Sequence, residues 1–136
     1  KFGRTKGRYP MTQLKIFDLR PNSHLHRMEE TVNAWLKEQG KCLDIQKQQV
    51  SENRDQLLLI LTCHENKLEN RNNHIMQVKF FRTHDEENFA VLEKEINEWF
   101  DKNHNDIAVD TTLQSISNHH LTMIIFFHYE NSKSPN

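Results

Sequence analysis

Leu121-Thr-Met-Ile-Ile-Phe-Phe-His-Tyr129 is the most apolar run in the sequence, and Leu57-Leu-Leu-Ile-Leu-Thr-Cys-His64 is its counterpart in the first half. Both runs are too short to span a bilayer, are bounded by polar residues and are rich in branched or aromatic side chains. These properties are typical of strands that are buried on two faces. We therefore expect each run to be the central strand of its half of the chain.

The two runs belong to a gapless internal repeat in which equivalent residues are 64 positions apart. Similar apolar pairs lie between the identical ones, and chance does not give that order over so many positions. The identical pairs are Gln13 and Gln77, Lys15 and Lys79, Phe17 and Phe81, Glu29 and Glu93, Asn33 and Asn97, Trp35 and Trp99, Ser51 and Ser115, Leu57 and Leu121, Ile60 and Ile124, and His64 and His128. The chain is therefore a duplicated module.

Local patterns predict a strand, a helix and two strands in each copy. The predicted elements cover about 12–17, 23–39, 42–50 and 57–64 in the first copy, and about 76–81, 85–102, 107–113 and 121–129 in the second. A right-handed crossover places the third strand between the first two, with both neighbours antiparallel to it. The expected fold class is α+β, with tandem duplicated β-α-β-β modules and one helix per module on one face of each sheet.

The repeat also sets the expected domain boundaries. These are a flexible basic leader at 1–10, native or artificial, a first repeat at 11–66, a linker at 67–75, a second repeat at 76–130 and a tail at 131–136. A single copy of about 55 residues has little room for a core of its own. We therefore expect the two repeats to form one domain around a shared core, with Trp35 and Trp99 largely buried in it.

One face of each sheet is expected under the helix, and the other is expected to be free for a ligand or partner. The helix-covered face is predicted to carry Leu14, Ile16, Leu43 and Ile45 in the first copy and Val78, Phe80, Ile107 and Val109 in the second. The opposite face is predicted to carry Lys15, Phe17, Gln46, Ile60, Thr62 and His64, with Lys79, Phe81, Asp110, Ile124, Phe126 and His128. Because it is half apolar and half polar, this face suits an interface or a ligand floor better than open water.

The distribution of charge argues against a whole-domain contact with nucleic acid. Four of the 18 basic residues lie in the first ten positions, so the rest of the chain has 14 basic residues against 19 acidic ones and a net charge of −5. Cys42 and Cys63 are not equivalent in the repeat, and no apolar signal segment follows the leader. Unmatched cysteines of this kind predict reduced thiols in a cytoplasmic protein that does not enter a membrane.

A family resemblance is carried by three patterns in the second copy: Gln77-Val-Lys-Phe-Phe81, Leu92-Glu-Lys-Glu-Ile-Asn-Glu-Trp-Phe100 and the run that ends at Tyr129. The first copy repeats them through Lys15-Ile-Phe17 and Val32-Asn-Ala-Trp-Leu36. These patterns resemble the small sporulation-associated proteins of Gram-positive bacteria that the mother cell makes under sigma-E. The resemblance implies a small bacterial cytoplasmic protein and no particular chemistry.

The repeated histidines form the candidate ligand site. In the antiparallel arrangement the end of the third strand lies beside the start of the first, so His64 is expected near Lys15 and His128 near Lys79. A lysine beside a histidine could bind an anionic group such as phosphate, and a solubilising strand end is the plain alternative. The candidate ligand-binding residues are Lys15, Phe17, His64, Lys79, Phe81, Phe126 and His128.

The other repeated polar residues are expected to have local roles. Glu29 and Asn33, like their copies in the second helix, are four residues apart and are interpreted as a surface pair or a brace to a neighbouring loop. No Ser, His and Asp arrangement, metal-ligand spacing or glycine-rich phosphate loop can be assembled from the sequence. We therefore expect no enzyme activity, no cofactor and no metal.

Three functional hypotheses remain. The preferred one is a small non-catalytic cytoplasmic binding or regulatory protein that binds a partner protein, or sequesters a small anionic ligand, through its sheet face. The alternative is a regulator that binds RNA or single-stranded DNA through the same lysines and aromatic residues. An enzyme with acid-base histidines is the third and least supported. Because two helices cannot cover all the apolar sheet surface, a homodimer is also expected.

Overall fold

The computed structural model describes residues 12–20, 24–40, 43–53, 56–65, 75–83, 89–117 and 120–130. Its elements are β1 (Thr12–Leu19), α1 (Leu25–Gln39), β2 (Leu43–Glu52), β3 (Leu57–Glu65), β4 (Met76–Arg82), α2 (Phe89–Asn103), β5 (Ile107–Ser117) and β6 (His120–Tyr129). The predicted leader, the tail and nearly all of the predicted linker lie outside the described residues. Of the helices described, neither is long and apolar enough to cross a membrane.

The fold is α+β and consists of two similar modules, as the repeat predicts. Module 1 has a sheet of order β1-β3-β2, and module 2 has a sheet of order β4-β6-β5, with every pairing antiparallel. The apolar runs are therefore the central strands, which confirms the prediction. Each module also carries its predicted helix, and α1 ends at Gly40, whose positive φ of 61° suits a residue without a side chain.

In each module, the face of the first strand that meets the helix is the opposite of the predicted one. Lys15 lies opposite Leu61 and Phe17 opposite Leu59, on the sheet face that α1 covers. The predicted face is wrong for Leu14 and Ile16, which point away from α1. The same holds in module 2. Phe81 lies on the sheet face that α2 covers, whereas Val78 and Phe80 lie on the other face. Both faces of these strands are apolar, so alternation alone does not decide which one meets the helix.

The two modules meet in one buried cluster that contains residues from both. Its members are Phe17 and Leu19 of β1, Met28, Val32 and Leu36 of α1, Leu57, Leu59, Leu61 and Cys63 of β3, Val78 and Phe80 of β4, and Ile124 and Phe126 of β6. A second cluster joins α2 to the other face of the module 2 sheet through Phe81, Leu92 and Ile125. Among the described residues, module 2 is therefore covered on both sheet faces, whereas module 1 is covered on one.

The tryptophans join helix to sheet in both modules, and each is partly buried and packs against one of the two clusters. Trp35 packs edge-to-face on Phe17 at 5.7 Å between ring centroids, and Trp99 packs on Phe81 at 5.9 Å. Such pairs add about 0.5–1.5 kcal/mol to the burial of the rings. The repeated pair of aromatic residues thus fixes how each helix sits on its own sheet.

Candidate functional site

Helix α1 of module 1 covers the outer edge of strand β4 in module 2. Asn33 uses its whole amide for this contact, since Nδ2 donates to the Val78 carbonyl at 3.1 Å and Oδ1 accepts the Val78 N–H at 2.7 Å. One turn earlier, Glu29 Oε2 accepts the Phe80 N–H at 2.8 Å and lies 3.5 Å from Lys79 Nζ. Two side chains of a helix therefore occupy the place that a neighbouring strand would take.

The spacing of these two residues explains why a helix can replace a strand at this edge. Residues four apart in a helix are about 6 Å apart along its axis. Residues two apart in a strand, whose N–H groups point to the same edge, are about 6.6 Å apart. Glu29 and Asn33 therefore match Phe80 and Val78 one to one. An edge strand presents unpaired N–H and C=O groups, and here those groups are bonded by helix side chains.

Strand β1 presents an equivalent edge that no described helix covers. Leu14 lies opposite Thr62 and Ile16 opposite Ile60, in the same register that Val78 and Phe80 have in β4. The N–H groups of Leu14 and Ile16 therefore point away from β3, as those of Val78 and Phe80 point away from β6. Leu14 and Ile16 are 63% and 54% exposed. The outer edge of β1, with these exposed side chains, is the candidate site.

A groove of about 640 Å³ opens beside this edge, between β1 and α1. It is lined by Lys15, Phe17, Thr31, Ala34, Trp35, Lys37 and Glu38. Lys15 Nζ lies 5.2 Å from the centroid of the Phe17 ring and 5.6 Å from that of Trp35, at the distance of cation–π contacts. The groove thus combines a positive charge with an aromatic wall.

The predicted lysine and histidine pairs do not form. Lys15 lies on the α1 side of its sheet, whereas His64 lies opposite Thr12 on the other side. Lys79 and His128 are separated in the same way, because His128 lies opposite Met76. His128 instead bonds Asp110 through Nδ1, at 3.0 Å and 3.1 Å from the two carboxylate oxygens. The prediction that each pair forms one anion site is wrong. Successive side chains of a strand point to opposite faces of the sheet, and in each pair the lysine and the histidine lie on different faces.

The predicted aromatic residues are inside the protein. Phe17, Phe81 and Phe126 are exposed by only 5%, 4% and 0%. Stacking on a nucleic-acid base needs an open ring face, which none of the three offers. Of the candidate residues, the structure brings together Lys15 with Phe17, and Lys79 with Phe81 at 5.7 Å, and leaves the other three apart from them.

A buried polar cluster fixes the orientation of the two modules. The Arg82 guanidinium lies 3.0 Å from Glu52 and donates from Nε to Thr122 at 2.9 Å, while Ser115 donates to the other oxygen of Glu52 at 2.9 Å. Burial lowers the pKa of Arg82 from its ordinary value, and the charge of Glu52 opposes that shift. Removing one partner would leave the other charged and buried, so the modules are held in this arrangement.

No other arrangement in the described part of the chain suggests catalysis or metal binding. Groups of three or more His, Cys, Asp or Glu side chains that could hold a metal ion are absent among the described residues. Burial raises the pKa of the Cys63 thiol to about 11, and Asp44 adds to the shift. A thiol of that pKa is protonated at neutral pH and is a poor nucleophile.

The role of Glu29 and Asn33 was missed by the sequence interpretation, although the repeat contained a signal for it. Nearly every other outward residue of α1 differs in α2, for example Glu30 and Lys94, and Thr31 and Glu95. Glu29 and Asn33 are identical to Glu93 and Asn97. Polar residues that stay the same on a changing helix surface indicate a contact, which here is the strand edge of the other module.

Comparison of this chain with family models, with curated proteins and with solved structures found no match. The resemblance to sporulation-associated proteins therefore stays a prediction.

Proposed function

We propose that this chain is a non-catalytic cytoplasmic interaction protein, which binds a helix of a partner protein along the outer edge of β1. One observation carries the proposal: the equivalent edge of β4 binds a helix through Glu29 and Asn33 within the same chain. The edge of β1 presents the same pattern of N–H and C=O groups in the same register. Burying Leu14 and Ile16 under a partner would add apolar area to those hydrogen bonds.

The helix that fits this edge has a definable chemistry. It needs a side-chain acceptor for the Ile16 N–H. Four residues later in the helix, it needs a side-chain amide that bonds the N–H and C=O of Leu14. A carboxylate as the acceptor would also lie near Lys15, as Glu29 lies near Lys79. The sequence pattern of the partner is therefore Glu-x-x-x-Asn on one helix face, with apolar residues beside it.

A synthetic helical peptide tests this binding without knowledge of the natural partner. The peptide has the sequence of residues 24–40 and is cross-linked to keep it helical, because isolated helices of this length are marginal in water. Hydrogen exchange of the whole chain is measured with and without the peptide, at a protein concentration low enough to keep the chain monomeric. We expect slower exchange at the Leu14 and Ile16 amides, and no change at Val78 and Phe80, which α1 already covers.

The control is the same peptide with Ala in place of the residues equivalent to Glu29 and Asn33. It keeps the apolar face and loses the groups that bind the strand edge. Equal protection by both peptides, or no protection of β1 by either, would contradict the proposed mode of binding.

The groove beside Lys15 supports a second candidate function, which is binding of a small aromatic anion. Lys15 and Lys37 supply positive charge there, and Trp35 supplies both a ring and a fluorescent signal. Titration with benzoate should change Trp fluorescence in the wild type and not in Lys15→Met. Inorganic phosphate is the non-aromatic comparison and should change it in neither. Lys79→Met is the matched control, because Lys79 is already paired with Glu29.

A further inference from the structure

The second helix carries the residues that the open edge of β1 requires. Glu93 and Asn97 are the copies of Glu29 and Asn33, at the same spacing and on the same face of the helix. Both side chains are exposed, and neither has a hydrogen-bond partner among the residues that the structure describes. Among the described elements, α2 thus carries the required pair of side chains without using it, and the edge of β1 presents the matching backbone groups.

The exposed apolar residues also lie on the two surfaces that carry α2 and the edge of β1. Described large hydrophobic side chains that are exposed lie either on β1 or on the helix side of module 2; they are Leu14, Ile16, Phe89, Val91, Val109 and Ile116. Four of the six have apolar repeat equivalents at the contact between the modules: Val78 and Phe80 belong to the cluster that joins them, and Leu25 and Ile45 pack against it. The equivalents of the other two, Val91 and Ile116, are Arg27 and Glu52. Much of the surface that the two modules use to meet each other is therefore present once more, facing outward.

The charges are also complementary across these two surfaces. Inside the chain, Glu29 of the helix lies 3.5 Å from Lys79 of the strand. Glu93 and Lys15 occupy the equivalent places on α2 and β1. An α2 placed on the edge of β1 as α1 lies on β4 would bring these opposite charges together, and the Ile16 N–H would meet Glu93 as the Phe80 N–H meets Glu29.

From these three observations we infer that the partner at the outer edge of β1 is α2 of a second copy of this chain. Glu93 accepts the Ile16 N–H of the other copy, and Asn97 bonds both backbone groups of its Leu14. Two copies close the arrangement as a homodimer of four modules, in which each chain gives its α2 to the other and receives one in return. This inference rests on the proposed function, since it names the partner of the same edge.

A charge-swap experiment on the full-length chain tests the contact directly. The mass of the particle is measured by sedimentation over a range of concentrations for wild type, for Lys15→Glu and for Glu93→Lys. Each single variant places like charges opposite each other in both interfaces of a homodimer, so we expect dissociation constants at least about tenfold higher than for wild type. Glu95→Lys is the matched control on the exposed surface of the same helix, and it should dimerise as the wild type does.

Mixing the two variants gives the decisive result. In a mixed dimer one interface has the wild-type pair of Glu93 and Lys15, and the other has the two charges reversed without an acceptor for the Ile16 N–H. Opposite charges meet in both interfaces, so we expect the mixture to dimerise more tightly than either variant alone and less tightly than the wild type. At a protein concentration below dimer formation, all variants should melt near the wild-type temperature, because none of the three substituted side chains is buried.

Two outcomes would overturn the inference. A wild-type chain that stays monomeric at the highest concentration contradicts self-association, and the peptide experiment then still decides whether the β1 edge binds another protein. A wild-type dimer that persists in both single variants shows that the copies meet elsewhere.

Discussion

The outer edges of β4 and β1 have the same backbone register and different surroundings. At β4, the N–H groups of Val78 and Phe80 are bonded by Asn33 and Glu29. At β1, the equivalent groups of Leu14 and Ile16 face outward beside exposed side chains. The helix residues that would cover them are present in α2 and are not placed against β1 in this chain. The same backbone register is therefore an internal contact in one module and, in the function proposed above, a binding surface in the other.

The largest expected effect comes from the buried ion pair that fixes the two modules. Arg82→Ala leaves Glu52 charged with a side chain that is 3% exposed, so we expect the free energy of unfolding to fall by about 3–5 kcal/mol. The equivalent residue in module 1 is the exposed Asp18, and Asp18→Ala should change stability by less than about 0.5 kcal/mol. Urea unfolding of both variants measures the difference. Similar losses would show that the internal contact does not depend on this pair.

Ionisation of Cys63 gives the next effect, and only in module 1, because its repeat equivalent is Phe127. The folded thiol has a pKa of about 11, against an ordinary value of 9.0. Between pH 9 and 11 the unfolded chain loses this proton while the folded chain keeps it, so stability is complete below pH 9 and falls as pH rises. The loss is about 1.4 kcal/mol per pH unit in that window.

Cys63→Ala isolates this contribution, since its packing cost does not depend on pH. The difference in unfolding free energy between wild type and Cys63→Ala should shrink as pH rises from 9 to 11. Hydrogen exchange at pH 10 should then show β1 and β3 opening before β4 and β6. A difference that is constant over this range would mean that the thiol ionises as easily in the folded chain as in the unfolded one.

The two asparagines compare the covered and the open edge most directly. Asn33→Ala leaves the Val78 N–H and C=O without their partner, and we expect a loss of about 1–3 kcal/mol. Asn97→Ala removes an exposed side chain, so in dilute monomer the loss should be below about 0.5 kcal/mol. Thermal melts at low and high protein concentration measure both. If Asn97→Ala cost as much as Asn33→Ala in the monomer, the edge of β1 would not be open in the single chain.

The sequence was sufficient for much of the fold because the relevant signals are local or repeated. The runs that begin at Leu57 and Leu121 are apolar at nearly every position, and only a central strand buries both faces, so strand order followed from hydropathy. The orientation of β1 did not follow, because Leu14 and Ile16 are as apolar as Phe17 and Leu19. Register with β3, which depends on the turn and on the packing of α1, decides that question.

The candidate site was less predictable, because it depends on a contact between residues 45 to 51 positions apart. Nothing near Asn33 in the sequence indicates that its partner is Val78. The predicted site at Lys15 and His64 failed for a related reason, since proximity at a strand end was inferred without the face on which each side chain lies. Identical residues in the two copies were a correct signal of importance, and the structure supplies what they touch.

The two repeated lysines give the smallest and final comparison. Lys79 lies 3.5 Å from Glu29, with side chains that are 36% and 11% exposed. Lys15 has no ion pair among the described residues, and its ammonium lies over the rings of Phe17 and Trp35. Partly exposed ion pairs contribute little, so Lys79→Met should lower stability by about 0.2–1 kcal/mol, and by less in 1 M salt because the pair is screened. Lys15→Met keeps an apolar stem over the same rings and should show no salt dependence in the monomer. Urea unfolding at low and high salt, at a protein concentration below dimer formation, separates the two. Equal salt dependence for both variants would mean that α1 adds no electrostatic contact to the edge of β4. The attraction between Glu93 and Lys15 expected at the edge of β1 would then also have no support.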